Sequence, residues 1–330
     1  MLVVVNGVAE GALSEERVHW RARSTTLQLS NGTVVLGINP EGHLVTPGEI
    51  ASSSPPPSPM PSPQPDSTTD VGIRYAPSAP PSGAPEPQVE GLAHGPDDPP
   101  PGEDPESDCP CEGWGVADVL SGTSGWATLA SDGVVGLELL DVAKTDDTFE
   151  STVSMAGVLD VTHEIEPVAA TEFLYRATVT IKNVSNSTVD VRYRRVLDWA
   201  IEPYAGDEFV TLDAGEGPMD EYDFSSDDGR ASPDPLSGAS SISEAGFFTA
   251  IGPGDRGVLI DLDLGELAPD SEAIFSLYFG AAPNEEDALD AVELVNAGVY
   301  SLGQPSDEDG ELDVGAVTFI FAYREEQIEV

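Results

Sequence analysis

Apolar and polar residues alternate with a period of two along the middle of the chain. From Tyr175 to Lys182 every second residue is apolar (Tyr, Ala, Val, Ile), and the residues between them are Arg, Thr and Lys. The alternation resumes at Val189 after the turn-forming residues VSNST at 184–188. Such a pattern is typical of strands with one buried and one wet face, and two of them around a short turn predict a β-hairpin.

Further short segments of the same kind occur on both sides of this region, with Gly, Pro, Asp and Asn between them. They are TLQLS, TVVLGIN, VVGLELLDV, TFESTVSMAG, FVTLDA, GVLIDLDLG, AIFSLYFGA and VTFIFAY. Many short strands separated by turn residues indicate an all-β protein, and we expect an antiparallel β-sandwich, extended or in two layers.

One short helix is predicted near 284–297. Asn284 can cap its first turn, where acidic residues complement the helix dipole. We expect this helix to cover an open end or an edge of the sheets with an apolar stripe made of Leu289, Val292 and Val295.

The composition divides the chain into three parts. Residues 1–50 form an N-terminal β segment that we expect to pack on the main domain, and residues 111–330 form the β-sandwich. Between them, 51–110 is rich in Pro, Ser and acidic residues, which predicts a mostly disordered spacer with one short strand at 71–75.

The formal net charge of −47, from 13 basic and 60 acidic residues, excludes some partners. A strongly negative chain repels nucleic-acid phosphates, so we expect no nucleic-acid binding. The apolar run at 316–323 is too short to span a bilayer, and the first residues lack the basic region of a secretory leader.

Several scarce cations fall within one predicted hairpin, and two interpretations compete for them. Arg176, Arg192 and Arg194 lie on its polar face, where antiparallel pairing would bring Arg176 near Arg192 or Arg194. One interpretation pairs them with carboxylates of neighbouring strands. The other makes them a binding face for an anionic glycan or a partner's carboxylate, with Trp199 as a stacking platform.

Arg195 falls on the apolar face of the same strand. We expect it to form a buried ion pair with an acid such as Asp198 or Glu202. Asp198 and Glu202 also allow a second hypothesis, in which the two carboxyl groups flank and cleave a glycosidic bond.

Acidic loops and two cysteines are the remaining candidates for special chemistry. The loop at 306–313 could bind Ca²⁺ through Asp307, Asp309 and Asp313, although it lacks the glycine and glutamate of a helix-loop-helix calcium site. Cys109 and Cys111 either form a disulfide with each other or stay reduced. The four scattered histidines do not form a zinc motif, and we expect no cofactor other than calcium.

Four motifs are similar to those of a family of exported bacterial β-rich proteins, some of which carry PEP-CTERM-type sorting signals. They are VLGINPEGHLV at 35–45, CEGWGVAD at 111–118, RYRRVLDWAIEP at 192–203 and YSLGQPS at 300–306. The resemblance implies an extracellular or cell-surface protein and assigns no catalytic residue. The segments around NVSNSTVDV and LGELAPDSEAIFSLYFG also resemble immunoglobulin-like surface repeats.

These observations favour a non-enzymatic structural or interaction module outside the cell or on its surface, with other surface proteins or glycans as partners. The alternative is a carbohydrate-binding module for anionic glycans, which uses the arginine face, Trp114, Trp126 or Trp199 and, as one option, calcium. The third hypothesis is a polysaccharide-cleaving enzyme.

Overall fold

The computed structural model describes residues 27–45, 67–68, 72–77, 112–129, 133–201, 206–307 and 309–326. The first strands are β1 (Leu27–Ser30), β2 (Val34–Ile38), β3 (Ser67–Thr68), β4 (Ile73–Tyr75), β5 (Glu112–Asp118), β6 (Thr123–Thr128), β7 (Val134–Val135), β8 (Leu137–Lys144), β9 (Phe149–Met155) and β10 (Leu159–Pro167). They are followed by β11 (Leu174–Asn183), β12 (Val189–Asp198), β13 (Phe209–Ala214), β14 (Tyr222–Ser226), β15 (Phe248–Ile251), β16 (Gly257–Leu267), β17 (Glu272–Ala282), α1 (Glu285–Leu294), β18 (Val299–Gln304) and β19 (Thr318–Glu325).

Two large antiparallel sheets enclose the main core, which confirms the all-β sandwich. The nine-stranded sheet has the order β15-β13-β18-β19-β17-β11-β10-β9-β8, and the six-stranded sheet has the order β14-β16-β12-β5-β6-β7. Aromatic side chains join the two layers. The ring of Tyr193 on β12 meets Phe275 on β17 edge-on at 5.0 Å, and it stacks on Trp114 of β5 at 5.9 Å. Burial of such side chains is the main force that holds two sheets face to face.

The predicted hairpin at 175–195 is wrong, because its two strands lie in different sheets. β11 pairs with β10 and β17, whereas β12 pairs with β5 and β16. Residues 184–188 therefore cross from one layer to the other. Asn183 stabilises this crossing, because its Nδ2 donates to the carbonyl oxygens of Ser187 at 2.8 Å and Leu267 at 2.9 Å, and its Oδ1 accepts from the Ser185 N–H.

A four-stranded sheet of order β1-β2-β4-β3 adds the described N-terminal residues to the same core. Leu29, Leu36 and Leu44 are fully buried in the core that the two large sheets share, and β4 packs against β17. β4 corresponds to the strand predicted at 71–75. The disorder predicted for the rest of the 51–110 segment lies outside the described residues.

The helix begins and ends close to the predicted bounds. The Asn284 side chain caps it by accepting from the Asp287 N–H at 2.9 Å. Its buried face consists of Ala288, Ala291 and Val292, whereas Leu289 is exposed, so the predicted stripe is partly wrong. The helix covers the outer face of β17 and β19 in the nine-stranded sheet, instead of an end or an edge.

Within the described residues, no helix combines the length and the apolar character that crossing a bilayer requires.

Candidate functional site

Two of the predicted binding arginines form cross-strand ion pairs at the surface. Arg176 on β11 pairs with Glu166, its direct neighbour on β10. Arg192 on β12 lies 3.7 Å from Asp263, its direct neighbour on β16. Both pairs are partly exposed, so each contributes about 0–1 kcal/mol. The first of the two interpretations, in which carboxylates of neighbouring strands pair with the arginines, describes this geometry.

Arg194 is not part of an exposed binding face, which corrects the prediction. It is 1% exposed, because the loop between β14 and β15 covers the outer face of β12 and β5. This loop fits closely: a Cβ added at Gly115 of β5 would lie 2.2 Å from the carbonyl oxygen of Pro233. Alternation along a strand shows which face a residue lies on. It does not reveal that a distant loop covers that face.

Arg195 is buried on the inner face of β12, as predicted, but among the described residues its partner is not Asp198. The Arg195 guanidinium pairs with Glu112 of β5, and both side chains are at most 2% exposed. The cation also lies 5.0 Å from the ring centre of Phe279 across the core. Burial raises the pKa of Glu112, and the charge of Arg195 opposes that rise.

The segment with the GINPEGHL motif closes over this buried pair. The Leu44 N–H donates to Glu112 Oε2 at 2.6 Å, and Trp114 Nε1 donates to the carbonyl oxygen of Glu41 at 2.9 Å. His163 of β10 packs against Trp114 with 4.6 Å between ring centres. Three of the four motifs that carry the family resemblance therefore meet in one buried cluster, which we call the motif cluster (Glu41–Leu44, Glu112, Trp114, His163, Tyr193 and Arg195).

The histidines of the motif cluster are held neutral. Burial, reinforced by the charge of Arg195, lowers the pKa of both His43 and His163 to about 3. Neither ring nitrogen of His163 has a hydrogen-bond partner among the described residues. His163 thus acts as a packed aromatic ring and costs stability whenever it is protonated.

Trp199 cannot serve as an exposed sugar platform, because it is fully buried. Its Nε1 donates to Ser301 Oγ at 3.1 Å, and its ring packs on Phe319 and against Gly303. Trp114 is also fully buried, whereas Trp126 is partly exposed.

Asp198 is buried at the end of β12 and pairs with Arg230, whose Nε donates to Asp198 Oδ2 at 3.2 Å. Burial, together with the nearby charge of Asp255, raises the pKa of Asp198 to about 7. Glu202, the second residue of the predicted catalytic pair, lies outside the described residues.

The predicted calcium loop uses its aspartates to cap turns. Asp307 Oδ1 accepts from the N–H groups of Asp309 and Glu311, both at 2.9 Å, and Asp313 Oδ1 accepts from the Gly315 N–H. Within the described part of the chain, these three aspartates do not form a group that could share one ion; Asp198, Glu208 and Asp255 do. Cys109 and Cys111 lie outside the described residues, so the structure does not decide between their two predicted states, a disulfide and free thiols.

A surface groove of about 350 Å³ lies on the outer face of β8–β11 in the nine-stranded sheet. Arg176, a predicted binding residue, forms part of its wall. The groove also contains Lys144, the hydroxyls of Thr145, Thr148 and Thr178, and the acidic residues Asp141, Glu150, Glu164 and Glu166.

Sequence reasoning missed Glu112, although its signal was present. Glu112 precedes Trp114 and Val116 at a spacing of two, so it falls on the apolar face of its strand. A carboxylate on such a face requires a buried partner. Glu208, Arg230 and Asp255 had no comparable signal, because loops that are distant in sequence bring them together.

In comparisons with known proteins, no protein-family model and no curated protein gives a significant match to this chain.

Proposed function

We propose that this protein is a non-enzymatic structural or interaction module that works outside the cell or on its surface. The observation that carries the proposal is the buried Glu112–Arg195 pair. A glycan, a partner protein or a polysaccharide substrate cannot reach side chains that are at most 2% exposed. Glu112 of CEGWGVAD and Arg195 of RYRRVLDW instead bind each other. Glu112 also accepts a hydrogen bond from the Leu44 N–H, which holds the segment around Leu44 against the sandwich.

The location outside the cell is supported by the resemblance to exported bacterial β-rich proteins. That resemblance rests on four motifs, and three of them, GINPEGHL, CEGWGVAD and RYRRVLDW, meet in the motif cluster. A structural role gives a physical reason for their co-occurrence, because each motif supplies one part of a single buried contact.

Cell fractionation and an activity assay together test this proposal. An antibody against the chain should detect it in the envelope or the medium of the source organism, and detection in the cytoplasm alone would contradict the location. The purified protein should release no reducing sugar from acidic polysaccharides. Release that is lost on Asp198→Asn substitution would show that the protein is an enzyme.

The groove on β8–β11 favours a second candidate function, carbohydrate binding. Hydroxyl and carboxylate groups line it together with Lys144 and Arg176, and sugars are recognised by such polar groups. Its four acidic side chains outnumber the two basic ones, which disfavours an anionic glycan on electrostatic grounds. We therefore infer that a ligand of this groove is a neutral, hydroxyl-rich glycan.

A glycan array with neutral and acidic glycans, with and without a calcium chelator, tests this second function. Neutral glycans should bind, and Lys144→Ala should weaken binding because Lys144 lies in the groove. Lys182→Ala is the matched control, since it removes the only other lysine, which is exposed outside the groove. Absence of binding, or equal effects of the two substitutions, would contradict it.

A further inference from the structure

Three carboxylates converge where the two large sheets meet at one end of the sandwich. Asp198 ends β12 of the six-stranded sheet, and Glu208 immediately precedes β13 of the nine-stranded sheet. Asp255 lies in the loop between β15 and β16. Each of the three offers one oxygen, and these oxygens all lie within 4.8 Å of one another.

The local charge of this cluster is not balanced by its one arginine. Arg230 donates from Nε to Asp198 Oδ2 and pairs with Asp255 through Nη2. One guanidinium among three carboxylates leaves an excess of negative charge in a place where Asp198 and Glu208 are buried. Bringing these groups together without another cation is therefore costly.

An unpartnered oxygen gives independent support for a missing ligand. Asp198 is 1% exposed, and its Oδ1 has no hydrogen-bond partner among the described residues, whereas Oδ2 is bound to Arg230. A buried acceptor without a partner is uncommon in folded proteins and destabilises them. A bound cation would satisfy this atom.

Glu208 is already held in position by the backbone. Its Oε2 accepts from the Gly206 N–H at 2.8 Å, and its Oε1 accepts from the Arg256 N–H at 3.0 Å. Each carboxylate oxygen has a second lone pair, so these bonds fix the side chain and leave it able to bind a metal. The side chain of Asp255 is about one-third exposed, which gives an ion and its water molecules a route to the cluster.

We propose that Asp198, Glu208 and Asp255 form a binding site for a single Ca²⁺ ion that joins the two large sheets. The donor set consists of carboxylate oxygens, which hard divalent cations prefer. At Ca–O distances of about 2.3–2.6 Å, two oxygens on one ion can lie up to roughly 5 Å apart, which matches this cluster. Mg²⁺ requires a smaller and more regular octahedron.

Calcium titration of the chelator-treated chain tests the site. The protein is dialysed against EDTA and then titrated with CaCl₂ or MgCl₂ alone at about 0.15 M NaCl, which screens diffuse attraction to the acidic surface. Calorimetry should find one saturable Ca²⁺ site per chain, and Ca²⁺ should raise the melting temperature at lower concentration than Mg²⁺ does. Absence of a saturable site, or equal effects of the two ions, would overturn the proposal.

Two matched variants locate the ion. Asp255→Asn removes one ligand charge at a partly exposed position, so we expect the variant to fold and its calcium affinity to fall by about tenfold or more, which is about 1.4 kcal/mol. Asp263→Asn removes an exposed carboxylate that pairs with Arg192 and should bind calcium as the unsubstituted protein does. Equal affinities for the two variants would place the ion elsewhere and overturn the assignment. Circular dichroism confirms folding in each case.

Discussion

Arg194 and Asp261 form a two-pronged ion pair between the neighbouring strands β12 and β16. Arg194 Nε donates to Asp261 Oδ1 at 2.6 Å, and Nη2 donates to Oδ2 at 2.8 Å. The remaining donors reach the carbonyl oxygens of Ser232, Asp234 and Ser237 at 3.1–3.4 Å. One side chain thus joins two strands and fixes the loop that covers them.

Arg194→Lys should loosen that loop while it preserves the charge. An ammonium group cannot form the paired bonds to Asp261 and also reach three carbonyl groups, so we expect a loss of about 1–3 kcal/mol. Hydrogen exchange should become faster at 230–238. Arg192→Lys is the control, because its ion pair is exposed, and it should change neither quantity. A loop that exchanges equally slowly with Lys at 194 would show that the arginine is not needed.

The positions of the strands could be predicted from the alternation of apolar and polar residues, but the pairing of the strands could not. The same pattern in β11 and β12 is expected both for two neighbouring strands of one sheet and for two strands that belong to different sheets. The segment at 184–188 gives no signal that decides between them, and the structure adopts the second arrangement.

For the candidate sites, the inward position of Arg195 could be predicted, since it depends only on the alternation within β12. Its partner Glu112 could have been found by the same reasoning applied to β5. The cover over Arg194 and the cluster around Asp198 could not, because both depend on loops whose positions are set by tertiary contacts.

Gly42→Ala should detach the GINPEGHL segment from the motif cluster. Gly42 has a φ of +82°, and a Cβ there would lie 2.9 Å from His163 Nδ1. Gly122→Ala, at a φ of +68° in open space, should cost roughly 1–2 kcal/mol from backbone strain alone. In urea unfolding, Gly42→Ala should lower the free energy of unfolding by more than Gly122→Ala does. The cost of Gly42→Ala should be smaller when it is measured in a His163→Ala background, and an equal cost in both backgrounds would rule out the clash.

The neutral state of His163 predicts a specific pH dependence. Its pKa falls from 6.5 in the unfolded chain to about 3 in the folded protein, so between these pH values only the unfolded state binds the proton. Stability from this residue is therefore complete above pH 6.5 and is lost as the pH falls toward 3, by about 1.4 kcal/mol for each pH unit.

Comparison with His163→Phe isolates this contribution, because the titrations of Glu112 and Asp198 are expected to be similar in both proteins. The stability of the unsubstituted protein relative to the variant should decline as the pH falls from 6.5 to 4.5 in EDTA. Parallel stability curves would mean that His163 is protonated in the folded protein.

A double-mutant cycle on Arg195 and Glu112 tests most directly whether the motif residues act by binding each other. Arg195→Met and Glu112→Gln should each destabilise the protein, by up to about 3–5 kcal/mol in urea unfolding. Glu112→Gln should cost more, because an unpaired Glu112 can take up a proton whereas the guanidinium cannot lose its charge. The double variant should lose less free energy of unfolding than the two single variants lose together. The difference, which is the coupling energy of the two residues, should exceed about 1 kcal/mol. Additive costs would contradict the account.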